Sequence, residues 1–298
     1  MGFSHTQRPL AVVTGASGGI GAAVAGQLAR RGVRTVLVAR RTERLRELAR
    51  ELAPLAPSVV MSLDLADQDA IEPAMRDLLR EHGPVDILIH AAGYGILREF
   101  LEQRPEDIHR LMQVHYFAAV QMIHAVLPGM VERRHGHIIN IGSIAAKVGP
   151  WGHCGYSAAK AALQSLTHTL AAEYGDRGVH FSYVQPGIVN SAFFEGPGYR
   201  HLASNLRRHA LSCDYVARRI VGLLDRPRLE LVVPRHHRVV DWLKLLLPMV
   251  VHGTIARRSR PDTSTQQPAP PDWRPSESQV ISPALTGSGS SQPKDRIA

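Results

Sequence analysis

Cysteine is nearly absent from this chain of 298 residues. Cys154 and Cys213 are too few for a disulfide framework. A reducing, cytoplasmic setting is the expectation that follows. Histidine is plentiful, sixteen residues, but scattered. His135 with His137, and His236 with His237, lack further ligands at metal spacing, so no metal site is expected. Lysine is scarce: only four occur, so each one invites a question about its use. No apolar run reaches the length needed to cross a bilayer. The best candidate, Trp242 to Val251, is broken by Lys244 and Pro248. Met1 to Pro9 is polar and lacks the apolar centre of a signal peptide. No internal repeat is evident.

What is present is an ordinary apolar fraction, enough for a sizeable core, and an uneven charge. The net charge is +9. Residues 200–260 carry 13 Lys/Arg against 4 Asp/Glu, while the rest of the chain is close to balanced. A basic character confined to one late segment argues against a nucleic-acid-binding surface and for a local anionic partner. Composition divides the chain into an extension (1–8), a main domain (9–235), a basic and apolar segment (236–258), and a Pro/Ser/Gln/Gly-rich tail (259–298). The tail cannot bury enough apolar surface to offset its ordering entropy, and disorder is expected there.

Along the main domain, short apolar runs alternate with helical patterns. Leu10 to Val13 reads as a buried strand. It enters Thr14-Gly-Ala-Ser-Gly-Gly-Ile-Gly21 and then an apolar-periodic helix. Gly15, Ser17, Gly19, Ile20 and Gly21 thus lie on a strand–turn–helix unit, where free helix N–H groups meet an anionic phosphate. Further strands are expected at 35–39, 59–63, 85–89, 137–141, 179–184 and 231–233. Helices are expected at 42–52, 67–81, 105–133, from Tyr156 to about Tyr174, and from Ser212, as N-cap, to Leu224. This alternation predicts an α/β fold: a Rossmann-like, doubly wound parallel sheet of about seven strands with helices on both faces. Ligands in such folds bind beyond the C-terminal ends of the strands. Gly15, Arg40, Asp64, Gly93, Ser143 and Pro186 all fall there.

At the end of the second strand, where an NAD-binding chain usually carries an acid, stand Ala39, Arg40 and Arg41. Arginine suits a 2′-phosphate, which favours NADP(H) over NAD(H). The alternative is that the pair only opens the next helix as solvated charge. Asp64 is placed to accept from an adenine amino group. Tyr156 and Lys160 are four apart on a helix and share a face. An ammonium beside a phenol lowers its pKa and fits it for proton transfer with an alcohol near neutral pH. Ser143, just past an apolar strand, is placed to bind the same substrate oxygen.

These residues resemble the classical short-chain dehydrogenase/reductase family, over about residues 9–235. The resemblance rests on the Thr14–Gly21 turn, Asp64, Gly93, Ser143, Tyr156, Lys160 and Pro186-Gly187, in the family's order. It implies that Tyr156 is the general acid/base. Lys160 would lower its pKa and hold the nicotinamide ribose, and Ser143 would orient the substrate oxygen. It also places Leu65 and Ala91 beside the cofactor, with Pro186, Gly187, Ile188 and Ser191 around the nicotinamide, Ser191 standing for the usual Thr. It implies a homodimer or homotetramer. Two positions depart from the pattern. The usual Asn-Asn-Ala-Gly reads His90-Ala-Ala-Gly93, and the usual catalytic Asn is His115. His115 reads either as part of a proton relay, acting mainly through its carbonyl, or as a buried, hydrogen-bonded histidine.

Trp151, on Gly149 to Cys154, and Tyr94 are the candidate substrate walls, and Asn190 to Leu211 reads as a mobile lid. Arg200, Arg207 and Arg208 read as a solvated face or as attraction for an anionic substrate. Residues 236–258 read as an interfacial segment in peripheral contact with an anionic membrane, or as packing on the cleft or on a partner subunit. The function expected is NADP-dependent oxidoreduction of a fairly apolar carbonyl or alcohol. The alternatives are an NADPH-binding sensor or scaffold with weak or no turnover, and a protein whose main role is membrane attachment.

Overall fold

A computed structural model describes residues 8–195, Tyr199 and 210–260. The expectations for 1–7, for most of the lid including Arg200, Arg207 and Arg208, and for nearly all of the tail lie outside the described residues.

Seven strands make one parallel sheet: β1 (Leu10–Thr14), β2 (Arg34–Ala39), β3 (Ser58–Ser62), β4 (Ile87–His90), β5 (Gly136–Ile141), β6 (Val179–Pro186) and, in the edge position beside β6, Glu230–Val233. Their order is β3-β2-β1-β4-β5-β6 and then Glu230–Val233. A second sheet joins β7 (Val189–Asn190) and β8 (Leu211–Ser212), so the edge strand of the main sheet is β9. Strand β1 begins as an apolar run, Leu-Ala-Val-Val, and is buried along its whole length because both faces are covered.

One face packs α1 (Gly19–Ala29), α2 (Thr42–Leu52) and a later helix, Cys213–Val221, around Val24, Leu28, Leu45 and Ile220. The other packs α3 (Gln68–His82) and Ala118–Glu132 around Ile71, Met75, Met122 and Val126. The Asp67 carboxylate caps α3 by accepting from the N–H groups of Asp69 and Ala70, and Ser212 caps the Cys213 helix by accepting from Tyr215 N–H.

The order reverses between β1 and β4. The chain leaves β1 for β2 on one side, and β4 lies on the other. At this switch point the ends of the two strands meet. The Thr14 hydroxyl accepts from Ala91 N–H (3.1 Å) and Ala92 N–H (3.0 Å). The clamp holds the backbones so close that a Cβ on Gly15 would lie 2.8 Å from Ala92 Cα. Gly15 also has φ +68°, so position 15 requires glycine twice over. His90, where the family's pattern has Asn, is buried with Nδ1 3.5 Å from the Thr14 hydroxyl. Burial and the Lys160 charge push this imidazole down to about 3, so it is neutral at ordinary pH.

The long helix expected over 105–133 is three pieces: α4 (Pro105–Met112), a π-helical turn (Gln113–Phe117) and α5 (Ala118–Glu132). Ala118 N–H reaches Gln113 O, one residue further back than in an α-helix. Periodicity alone does not reveal such a turn. The stretch corrects a second expectation as well. Pro105–Glu132 is, by length and mean hydropathy, long and apolar enough to cross a membrane, yet half of its most apolar window is buried. Helix α5 gives the sheet Met122, Ile123 and Val126.

Candidate active site

Strand β5 ends at Ile141, and Gly142 turns the chain under the ring of Tyr183: a Cβ there would lie 2.0 Å from Tyr183 Cζ. Ser143 follows. Its hydroxyl accepts from Ala145 N–H at 3.1 Å, which starts the short helix α6 (Ala145–Val148). Gly149, at φ +53°, ends α6 and leads to α7 (Cys154–Tyr174). Helix α7 lies across β6, and its inner face carries Tyr156, Ala159, Lys160, Leu163 and Thr167, all buried. Ser143 and Tyr156 share a side-chain hydrogen bond. Lys160 Nζ donates to Ile141 O at 2.6 Å and lies 5.9 Å from the centre of the Tyr156 ring. The structure therefore gathers Ser143, Tyr156 and Lys160 at the end of β5.

Burial weighs most on the protonation of Tyr156 and Lys160. Burial pushes the Tyr156 phenol up to about 12, and the Ser143 hydrogen bond only partly opposes it. Burial also pushes Lys160 down to about 7. A lysine stripped of solvation holds its charge weakly at neutral pH, and here its proton is directed at a carbonyl instead of the phenol oxygen. Burial is thus the largest influence on the Tyr156 phenol, and the Lys160 ammonium lies 5.9 Å from the centre of its ring.

His115 sits in the π turn, 2% exposed. Its Nε2–H donates to Tyr94 O at 2.8 Å, and its ring stands edge-on to the Tyr156 ring with centroids 5.3 Å apart. Burial, helped by the Lys160 charge, holds the imidazole well below its ordinary pKa. For the side chain, this is the geometry of the buried, hydrogen-bonded alternative. The ring also lies against Gly93, where a Cβ would meet its Cε1 at 2.2 Å.

Tyr94 packs beside this group, with Ile96 and Leu111. Trp151 lines a cavity of about 440 Å³ with Arg98, Phe100, Leu101, His153 and Cys154. The rings packed on Tyr156 are His115, His153 at 5.9 Å and Phe193 at 5.4 Å. Tyr199 is a further ring on Phe193 and His153 (5.5 and 5.6 Å). His153 binds Trp151 O through Nδ1 (2.9 Å) and the Tyr199 hydroxyl through Nε2 (2.9 Å). Sequence reading singled out neither His153 nor Tyr199. The one available signal for His153 was its place three residues before Tyr156, at the N-cap of the helix that carries it.

The cofactor-facing candidates also converge. Helix α1 begins after Gly18 with no side-chain cap and no acid in its first turn, so its N–H groups are left for an outside anion. Arg41 bends over this turn. Its Nη2 donates to Ser17 O and Ser17 Oγ, both at 3.2 Å, and would lie 3.4 Å from a Cβ on Gly18. Ser191, with Cβ 3.4 Å from a Cβ built on Gly19, faces the same turn from the other side. Leu63 N–H donates to Ala39 O at the end of β2, Asp64 stands two residues past the end of β3, and its Oδ1 accepts from Ala66 N–H at 3.0 Å. Gln113 Nε2 donates to Leu65 O at 3.3 Å. Gly187 N–H donates to Val233 O at 2.8 Å, tying the Pro186–Ile188 segment to β9. A glycine turn with no room for a Cβ at Gly15 or Gly21, an uncapped helix and a guanidinium beside it fit a phosphate-bearing dinucleotide.

The sequence model of the short chain dehydrogenase family matches residues 9–197. The chain belongs to this family. Among curated relatives, a dehydrogenase/reductase SDR family protein 7-like protein of Drosophila melanogaster is 30% identical over 260 residues, 83% of this chain and 79% of its own length. Among solved structures, a short-chain dehydrogenase from Sphingobium yanoikuyae in complex with NADPH superposes with a TM-score of 0.72 at 28% identity, covering 86% of this chain and 99% of that one. A bulky-bulky ketone specific alcohol dehydrogenase from Comamonas testosteroni gives 0.70 at 27% identity, covering 87% and 99%. This short-chain dehydrogenase is therefore an oxidoreductase of a nicotinamide-binding fold.

Proposed function

We propose that this short-chain dehydrogenase uses NADPH to reduce an apolar carbonyl compound, with Tyr156 as the proton donor. The observation that carries the reading is the Ser143–Tyr156–Lys160 group at the end of β5, with Tyr156 and Lys160 buried and Phe193 packed on the Tyr156 ring. When bound, the nicotinamide supplies the hydride. The chain supplies the rest. Ser143 orients the substrate oxygen, and Tyr156 gives that oxygen its proton as charge develops on it. A phenol at about 12 keeps its proton at neutral pH, so the enzyme rests in the form that reduction needs. Lys160, with Nζ 2.6 Å from Ile141 O and 5.9 Å from the centre of the Tyr156 ring, would hold the nicotinamide ribose.

Arg41, bent over Ser17 beside the α1 N-terminus, supports the NADP preference, with Arg40 next to it. The NADPH in the Sphingobium relative's structure agrees with that preference. His115, His153, Phe193 and Tyr199 give the cover an apolar, aromatic character. The ketone named for the Comamonas relative is of a kind such a wall accommodates. Asp64, Leu65, Ala91, Gly93 and Ile188 complete the cofactor's surroundings in this reading.

The test is NADPH oxidation, followed by absorbance, across a panel of aryl and long-chain ketones and aldehydes. Tyr156→Phe is expected to lose at least a hundredfold in kcat while still taking up NADPH. Full-speed reduction by a folded Tyr156→Phe protein refutes the assignment. Uptake of NADPH with no turnover on any panel member favours a sensor or scaffold.

A further inference from the structure

After β9 the chain forms helices α8 (Arg238–Leu246) and α9 (Pro248–Ser259), numbered apart from the earlier Cys213–Val221 helix, with a break at Leu247-Pro248. Thirteen large apolar side chains are exposed among the described residues, and seven of them lie within 239–250. Trp242 is 69% exposed, Leu246 71% and Met249 80%; Val239, Leu243, Leu247 and Val250 accompany them. Such a density of exposed apolar side chains on twelve residues marks a surface that meets something. Its flanks are basic: residues 235–260 contain six Lys/Arg and one Asp, and five of the six, all Arg, lie outside 239–250.

These two features together select the partner. A second copy of this chain would pair the face with itself, and an isologous contact brings the same basic residues together. An anionic bilayer offers apolar depth for Trp242, Leu246 and Met249 and negative headgroups for the arginines.

The helix pair is not a free appendage. Ser259 Oγ at the end of α9 accepts from Trp151 N–H at 3.0 Å, and Lys244 Nζ donates to Lys147 O on α6. His237, just before α8, packs on Gly187, where a Cβ would lie 2.7 Å from its Cε1. The exposed apolar face is thus joined to both the Gly149–Cys154 segment and the Pro186–Ile188 segment, which flank the candidate active site. Trp151 and the exposed Phe100 and Leu101 line the cavity on that same Gly149–Cys154 segment.

We propose that residues 236–258 dock this enzyme on an anionic membrane surface, so that its carbonyl substrate enters from the lipid phase. The choice of substrate phase rests on the reductase reading given above; the docking does not.

The experiment is co-sedimentation of the full chain with vesicles of phosphatidylcholine containing about 30% phosphatidylserine, and with phosphatidylcholine alone, at 0.1 and 0.5 M salt. Binding is expected on the anionic vesicles and is expected to fall at high salt. Trp242→Ser/Leu246→Ser is expected to weaken it at least tenfold, and Arg238→Gln about fivefold, since each basic side chain at such a surface contributes roughly 1 kcal/mol. Sedimentation is read without turnover, so failure of docking and failure of the reductase reading are separable. With docking shown, reduction of a long-chain ketone carried in the vesicles is expected to drop in the double variant, with reduction of a water-soluble ketone unchanged. Absence of binding to anionic vesicles overturns the proposal. So does binding that ignores the substitutions, or a dimer that dissociates on Trp242→Ser/Leu246→Ser, which would assign the face to a second copy.

Discussion

Gly93→Ala offers a direct test of how the site is packed. Gly93 does not occupy the left-handed region, so backbone freedom is not what requires glycine there. The requirement comes from His115. An alanine Cβ would lie 2.2 Å from Cε1 and 2.8 Å from Nδ1 of that ring. The ring has little room to retreat: Tyr156 stands edge-on at 5.3 Å, Tyr94 lies at 5.9 Å, and Nε2–H is bonded to Tyr94 O. Overpacking of this kind costs about 1–3 kcal/mol. Pulling Nε2 off a buried carbonyl adds about 1–3 kcal/mol. A loss of roughly 3 kcal/mol, against a urea slope of about 3 kcal/mol/M for a large domain, lowers the unfolding midpoint by about 1 M. The second arm truncates the ring. In a His115→Ala background the clash is gone, and Gly93→Ala is expected to be neutral or to stabilise by about 0.4–1 kcal/mol through the unfolded chain. The two substitutions then couple by about 3 kcal/mol in a double-mutant cycle. Additive effects, or a Gly93→Ala protein as stable as the parent, refute the reasoning.

Other outcomes follow from the same geometry. His90, His115 and His137 are buried with their pKa values held down, chiefly by burial. Below pH 6.5 the unfolded chain takes up protons that the folded chain refuses, so stability is full above that pH and is lost as pH falls, by about 1.4 kcal/mol per pH unit for each histidine. Urea midpoints measured from pH 7.5 to 5 should fall steadily on the acid side, and a flat profile contradicts the buried, neutral assignment. Arg41→Ala is expected to weaken NADPH binding about 10–100-fold, the worth of a charge-assisted hydrogen bond, and to change NADH binding less than threefold, as fluorescence titration with each cofactor will show. Equal losses would mean that Arg41 shapes the turn and does not read the phosphate. Tyr199→Phe removes the hydroxyl bonded to His153 Nε2. If that bond closes the aromatic cover, KM for a bulky ketone should change severalfold with NADPH affinity constant, and an unchanged KM counts against it.

Much of this protein was legible in its residue order because local physics governs it. Leu10 to Val13 can only be a strand buried on both faces, and the glycines after it admit only a tight turn. Tyr156 and Lys160, one helical turn apart, must share a face. Thr42 to Leu52 forms the expected helix, since its pattern of Leu45 and Leu52 among charges leaves one inward stripe. The failures were of another kind. The π turn at Gln113–Phe117 leaves the apolar spacing on either side almost intact, so it is silent in periodicity. The backbone N–H of Trp151 donates to Ser259 Oγ, 108 residues later, a pairing that no local spacing announces. Tyr199 was missed because its neighbours, Phe193 and His153, come from separate segments.

Residue order by itself determined the parallel architecture, the glycine turn after the first strand, and the placing of Tyr156 and Lys160 on one helix face. Each follows from short-range spacing and from the need to bury apolar strands on both faces. Only the tertiary structure decided the electrostatics of that pair. Whether Lys160 acidifies Tyr156 depends on the water each has lost and on where the ammonium points. The fold buries both groups, raises the phenol, lowers the amine and turns it toward Ile141 O. Desolvation depends on every element packed around a residue, and no spacing along the chain encodes it.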